Sequence, residues 1–253
     1  MKRTLKIGYA VLIIGLVCLA IGFFTGGAKD LTIDHGQKEP VSVHHRVLTN
    51  KKFSSIDITA ADADVIVKAG DHYQVSFTGN HRHQPTATVK SGRLILKQTI
   101  QSEKHSTGLF WHEREGACRV VITVPSQQVL RGKLDLSSGD LTVSQVSLTN
   151  VSLNNDSGDI TLRQLTINGG HANLESGDFT ASGLTLQSSY RVENSSGNNE
   201  VKRVTADGFH LKTDSGENEL FNRDQDDGGS LTKNTHADRV LTLVSQSGDN
   251  EVK

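Results

Sequence analysis

From about Phe53 onward the chain alternates apolar and polar positions with period two. Ile56-Asp57-Ile58, Val65-Ile66-Val67, Val75-Ser76-Phe77, Ala87-Thr88-Val89 and Leu94-Ile95-Leu96 are short runs of β-forming residues between Gly, Asp or Asn turns, and each predicts a strand. Between Gln101 and Gly116 the alternation gives way to a charged loop carrying Leu109, Phe110 and Trp111. It resumes at Arg119 and runs to Val124, a strand ended by Pro125. No helix is expected in this part.

Beyond Pro125 the pattern becomes a repeat. Ser-Gly recurs at Ser138-Gly139, Ser157-Gly158, Ser176-Gly177, Ser196-Gly197, Ser215-Gly216 and Ser247-Gly248, at serine intervals of 19, 19, 20, 19 and 32 residues. The last interval contains an insertion rich in Asp and Gly around Asn222 to Ser230. Aligned on the serine, the position four residues earlier is Leu134, Leu153, Ala172, Val192, Leu211 or Leu243. Five residues after the serine stand Val143, Leu162, Ala181, Val201, Leu220 and Val252. Both columns are apolar throughout, so they face one shared interior.

Apolar sites at fixed phases every 19 to 20 residues predict a mainly β fold. The expected form is a β-solenoid resembling a parallel β-helix, in which each coil stacks on the last at about 4.8 Å. Gly139, Gly158, Gly177, Gly197, Gly216 and Gly248 would be its structural corners, where the chain bends too sharply for a Cβ. No proline follows Pro125, which suits coils that must all donate backbone N–H groups to their neighbours.

The amino terminus is different. Ile7 to Phe24 carries no charge and would rise roughly 27 Å as a helix, nearly a bilayer's apolar thickness. Lys2, Arg3 and Lys6 precede it, so the positive-inside rule leaves the carboxy-terminal part outside the cell membrane. A single transmembrane helix is expected; a cleavable signal peptide is the alternative. The domain reading is then 1–28 for cytoplasmic tip and anchor, 29–52 for a linker, and 53–253 for the folded part. Within the last, 53–131 would be lead-in strands and cap, and 132–253 the Ser-Gly coils.

Charge and chemistry change this picture little. A formal net charge of −1 gives no reason to expect nucleic acid as a partner. Cys18 lies in the apolar run, which leaves Cys118 as one small strand residue without a disulfide partner. His81 and His83, with His72 nearby, fall short of a zinc motif because no second pair of ligands stands at suitable spacing, and they read as turn histidines. Asp140, Asp159 and Asp178 would stack in one column and Glu200, Glu219 and Glu251 in another, as solvated corner and face residues; cation binding is the competing reading. No nucleophile elbow, phosphate loop or metalloprotease motif is present, so no cofactor is expected. Leu109, Phe110 and Trp111 are the one candidate for partner contact, or else a lid over an open end.

Leu134 to Val143, Leu153 to Leu162 and Ala172 to Ala181, each centred on Ser-Gly-Asp, resemble the bacterial putative-adhesin family of unknown function. The strand Val120 to Pro125 and the segment Phe53 to Ile58 extend the likeness to about residues 53–253. The last three repeats depart from it, reading Asn199-Glu200-Val201, Asn218-Glu219-Leu220 and Asn250-Glu251-Val252. The resemblance implies a cell-surface or envelope role, associated in some members with wall stress, and brings no catalytic residues. The expected function is a membrane-anchored, non-catalytic interaction module contacting cell-wall polymer or an envelope protein. The alternative is a polysaccharide-acting enzyme of the wall on a β-helix scaffold.

Overall fold

The computed structural model describes residues 43–99, 118–225 and 228–253. They belong to the larger of two compact units, Val41–Lys253. The lead-in region forms β1 (His44–Thr49), β2 (Ser55–Ala60), β3 (Asp64–Gly70), β4 (Gln74–Gly79), β5 (Thr86–Lys90), β6 (Arg93–Lys97) and β7 (Arg119–Pro125). The repeats supply β8 (Val129–Leu136), β9 (Leu141–Ser144), β10 (Ser147–Ser157), β11 (Ile160–Ser176), β12 (Phe179–Leu186) and β13 (Tyr190–Ser196). They continue with β14 (Asn199–Thr205), β15 (Gly208–Ser215), β16 (Asn218–Leu220), β17 (Asp224–Gln225), β18 (Gly229–Lys233), β19 (Val240–Ser247) and β20 (Asn250–Val252).

Among the described residues these strands join one 20-stranded mixed sheet that wraps, nearly closed and barrel-like, around a single core. The repeat period sets the register. Leu134 lies against Leu153, Leu153 against Ala172 and Ala172 against Val192, so each apolar column buries as a continuous stack. Burying a Leu or Val side chain contributes roughly 1.5–3 kcal/mol, and a column gathers one such contribution per repeat.

The expected β-solenoid behind a transmembrane helix is corrected here. The sheet is mixed: β4 runs antiparallel to β1 and β7, β5 to β6, β18 to β15, and β17 to β16. Its strands also do not follow chain order. β19 sits between β13 and β15, and β20 between β14 and β16, so the last repeat is inserted between the fourth and fifth. At the other end β2 lies between β6 and β8, and β3 between β7 and β9. The physical reason is edge closure, since an unpaired strand leaves a row of N–H and C=O groups without partners. The long final interval gives the chain enough length to lay β18 against β15 on one side and return β19 on the other.

Among the described residues the one helical turn is the 3-10 turn His81–His83, and no helix is long and apolar enough to cross a membrane. The run Ile7 to Phe24 lies outside the described residues. Part of the expected linker 29–52 is strand: His44–Thr49 is β1, paired antiparallel to β4, where it closes that strand's free edge.

Candidate functional site

The outer surface of the repeats is built on the six glycines. Each has positive φ, from +106° at Gly139 to +140° at Gly216. Their stacking is tight: a Cβ on Gly158 would lie 2.3 Å from the carbonyl oxygen of Gly139, and one on Gly248 2.2 Å from that of Gly197. Only a residue without a side chain lets neighbouring corners approach this closely.

The Asp or Asn that follows five of the six glycines has a distinct task, Gly216 being followed by Glu217. Asp64 Oδ1 accepts the backbone N–H of Asp140 at 3.2 Å, Asp140 Oδ1 that of Asp159 at 3.0 Å, and Asp159 Oδ1 that of Asp178 at 2.9 Å. The series goes on through Asp178 to Asn198, Asn198 to Asp249 and Asp249 to Glu217, at 2.8 to 2.9 Å. The acid column is thus a ladder of side-chain caps, each corner satisfying the N–H of the next. In the glutamate column Glu251 stands between Glu200 and Glu219. Lys202 pairs with Glu200, and Lys253 with both Glu251 and Glu219, which relieves the stacked charge.

Beneath the corners a second ladder points inward. Asn155, Asn194, Ser245 and Thr213, each two residues before a repeat serine, donate to the carbonyls of Gly139, Gly177, Gly197 and Gly248 at 2.8 to 3.2 Å. In the last repeats buried Asn199, Asn250 and Asn218 continue it: Asn199 Nδ2 donates to Asn250 Oδ1 at 2.8 Å, and Asn250 Nδ2 to Asn218 Oδ1 at 2.9 Å. The departure from Leu-Thr-Val seen in the sequence is therefore an amide stack replacing the apolar one of Leu141, Ile160 and Phe179.

Where β10, β11, β13 and β19 run side by side lies an open groove of about 450 Å³. Asn154, Asn173, Glu175, Glu193, Ser195 and Gln246 form its walls. Asn173 Nδ2 donates to Asn154 Oδ1 at 3.1 Å, and Asn154 Nδ2 to Asp135 Oδ1 at 2.7 Å. Burial pushes the Asp135 carboxyl up, but hydrogen bonds from Lys133 and Asn154 and the charge of Lys133 outweigh it and hold the group below the usual carboxylate range. On the neighbouring row Ser152 Oγ and His171 Nε2 are 2.9 Å apart. Amides and hydroxyls both donate and accept, so this surface suits a partner dense in hydroxyl and amide groups.

The other residues singled out in the sequence do not join the groove. Leu109, Phe110 and Trp111 lie outside the described residues. His72 is exposed, His81 stacks on the ring of His44 with centroids 4.2 Å apart, and His83 turns inward to Asp62. His45 Nδ1 is 3.0 Å from Thr78 Oγ1. Sequence reading missed the groove because Asn154, Asn173 and Glu193 are polar strand residues of the ordinary kind; the available signal was their equal phase, three residues before the repeat serine.

A repeat-like β fold with a capped ladder of glycine corners thus defines the class of this protein. The chain belongs to the Toastrack DUF4097 family, whose model matches residues 122–253. Among solved structures it is similar to a putative cell adhesion protein from Clostridium sporogenes, at 10% identity and TM-score 0.49, over 84% of this chain and 98% of that one. A putative adhesin from Bacteroides fragilis aligns at 12% identity and TM-score 0.36, over 85% of this chain and 98% of its own. A putative adhesin from Parabacteroides distasonis aligns at 10% identity and TM-score 0.30, over 83% of this chain and 97% of that one.

Proposed function

We propose that the chain is a non-catalytic interaction module of the cell envelope that binds cell-wall polymer. The apolar run Ile7 to Phe24 holds it at the membrane, with the β unit on the outer side. The observation that carries this reading is the groove over β10, β11 and β13, where like polar side chains recur at the strand spacing of about 4.8 Å. Asn173 keeps its carbonyl and one N–H for a ligand, because among the described residues only the other N–H is used, on Asn154. A repetitive polymer meets such a row with many small, similar contacts, and their effects accumulate by avidity.

The test uses the full-length chain and insoluble wall polymer. Wild type co-sediments with the polymer, and the Asn154→Ala, Asn173→Ala, Glu193→Ala triple variant binds at least about tenfold more weakly, a loss of roughly 1.4 kcal/mol. Unchanged retention of a folded triple variant removes the groove from the function, and retention on solubilised envelope proteins alone replaces the polymer with a protein partner. Release of soluble sugar during the incubation would replace the binder with an enzyme.

A further inference from the structure

Away from the groove, at the turn joining β2 to β3, three donors of different chemistry meet. Asp62 comes from that turn, His83 from the 3-10 turn after β4, and Cys118 from the residue before β7. Each offers one ligand atom, and the three atoms lie within 4.8 Å of one another. His83 Nδ1 is 2.5 Å from Asp62 Oδ2, while Asp62 Oδ1 is buried and has no hydrogen-bond donor among the described residues. Cys118 is 8% exposed.

The cluster is built by its surroundings. Gln98, 2% exposed, accepts on Oε1 the backbone N–H groups of Ala61, Asp62 and Ala63 at 3.1 to 3.2 Å. Its Nε2 donates to the carbonyl of His83 at 2.8 Å. One buried side chain therefore fixes the Asp62 turn relative to the His83 turn. Asp64 N–H donates to the Cys118 carbonyl at 2.9 Å, tying the cysteine backbone to the same turn. Gly79 leaves the sulfur its space, since a Cβ there would lie 2.9 Å from Cys118 Sγ.

We propose that Asp62, His83 and Cys118 form a binding site for a thiophilic divalent cation of the zinc type. Three protein ligands leave one coordination position for water or another donor. The donor set selects the metal. Thiolate and imidazole suit zinc and its close analogues, whereas calcium and magnesium require oxygens alone. A cation also supplies the partner that the buried Asp62 Oδ1 needs, a group otherwise costly to leave unsatisfied. Binding takes up the thiol as thiolate and releases its proton to solvent, with no redox change. Gln98 is a positioning residue of the outer sphere.

The experiment uses the full-length chain, stripped with a chelator and titrated with Zn²⁺ alone and with Co²⁺ alone. One metal binds per chain. Co²⁺ gives a thiolate-to-metal charge-transfer band that disappears in Cys118→Ser and persists in Cys18→Ser. His83→Gln and Asp62→Asn, at partly exposed positions, weaken Zn²⁺ binding by at least the roughly 10- to 100-fold that outer-sphere partners command. Zn²⁺ also protects Cys118 of the unaltered chain from alkylation, a readout that needs no variant to fold. A cobalt spectrum without a thiolate band, or one that survives Cys118→Ser, overturns the proposal. So does Zn²⁺ affinity unchanged by His83→Gln, or alkylation of Cys118 unaffected by Zn²⁺.

Discussion

Gly177 shows how one atom decides the structure at the residue scale. Its φ is +127° and a Cβ there would lie 2.3 Å from the Gly158 carbonyl oxygen, which is backbone and can move only with its strand. Gly92, in the turn between β5 and β6, also has positive φ, +73°, but no described residue lies within 4 Å of a Cβ built on it. Gly177→Ala is therefore expected to destabilise by about 2–4 kcal/mol, combining strain and forced separation of the corners. Gly92→Ala should cost only about 1 kcal/mol, the penalty of a left-handed alanine. Urea unfolding of the two variants checks this, and equal losses would show that corner spacing is not limiting. The glycine phases were legible in the sequence. The caps from Asp64 to Asp249 were not, because the residues they join are 19 to 76 positions apart in the chain.

Among the elements, β14, β20 and β16 carry the sharpest departure from the repeat. Their first residues, Asn199, Asn250 and Asn218, are buried and bond in series across three strands. Removing the middle amide strands its neighbours: Asn250→Val leaves Asn199 Nδ2 and Asn218 Oδ1 without those bonds in the core. The expected loss is about 2–4 kcal/mol, one to two unsatisfied buried groups. Changing all three to Val should cost less than three such single changes, since the amides that bond one another leave together, only Asn194 Nδ2 and the Lys212 and Gly229 carbonyls lose a bond, and earlier strands fill the column with Leu141, Ile160 and Phe179. Thermal unfolding of the single and triple variants reads the difference directly. A triple loss equal to three single losses would mean that the ladder is not a unit.

For the β unit as a whole, stability depends on keeping the inserted last repeat between its neighbours. Arg239, just before β19, donates from Nε and Nη2 to the two carboxylate oxygens of Asp207, at 2.6 and 2.5 Å, where β14 turns into β15. The Arg239 hydrogen bonds hold the Asp207 carboxyl below the usual range, as Lys133 and Asn154 do for Asp135. Both groups bind a proton less readily folded than unfolded, so the unfolded chain takes up more protons as pH falls. Their stabilisation is full above the unfolded aspartate value of about 3.9 and is lost as pH drops through the lower folded values. Melting temperature should therefore fall along an acid limb below about pH 4, and Asp207→Asn should flatten that limb while lowering stability at neutral pH. An unchanged acid limb in Asp207→Asn would assign the loss to other carboxylates. High salt should mimic part of the effect, because this pair is solvent-exposed.

The sequence by itself determined the period, the inward columns and the glycine corners, because strand alternation and close backbone approach are local demands that each repeat meets with its own residues. It also determined that polar side chains of equal phase stack on the outside. Tertiary structure decided which repeat lies beside which, since the Ser-Gly-Asp/Asn spacing is the same whether Ser247 follows Ser215 or, as found, sits between Ser196 and Ser215. It also brought Cys118 to His83 and Asp62. No local spacing rule joins a turn, a 3-10 segment and a strand start; they meet because β2 and β3 are interleaved between later strands, and a buried Gln98 ties two of them together.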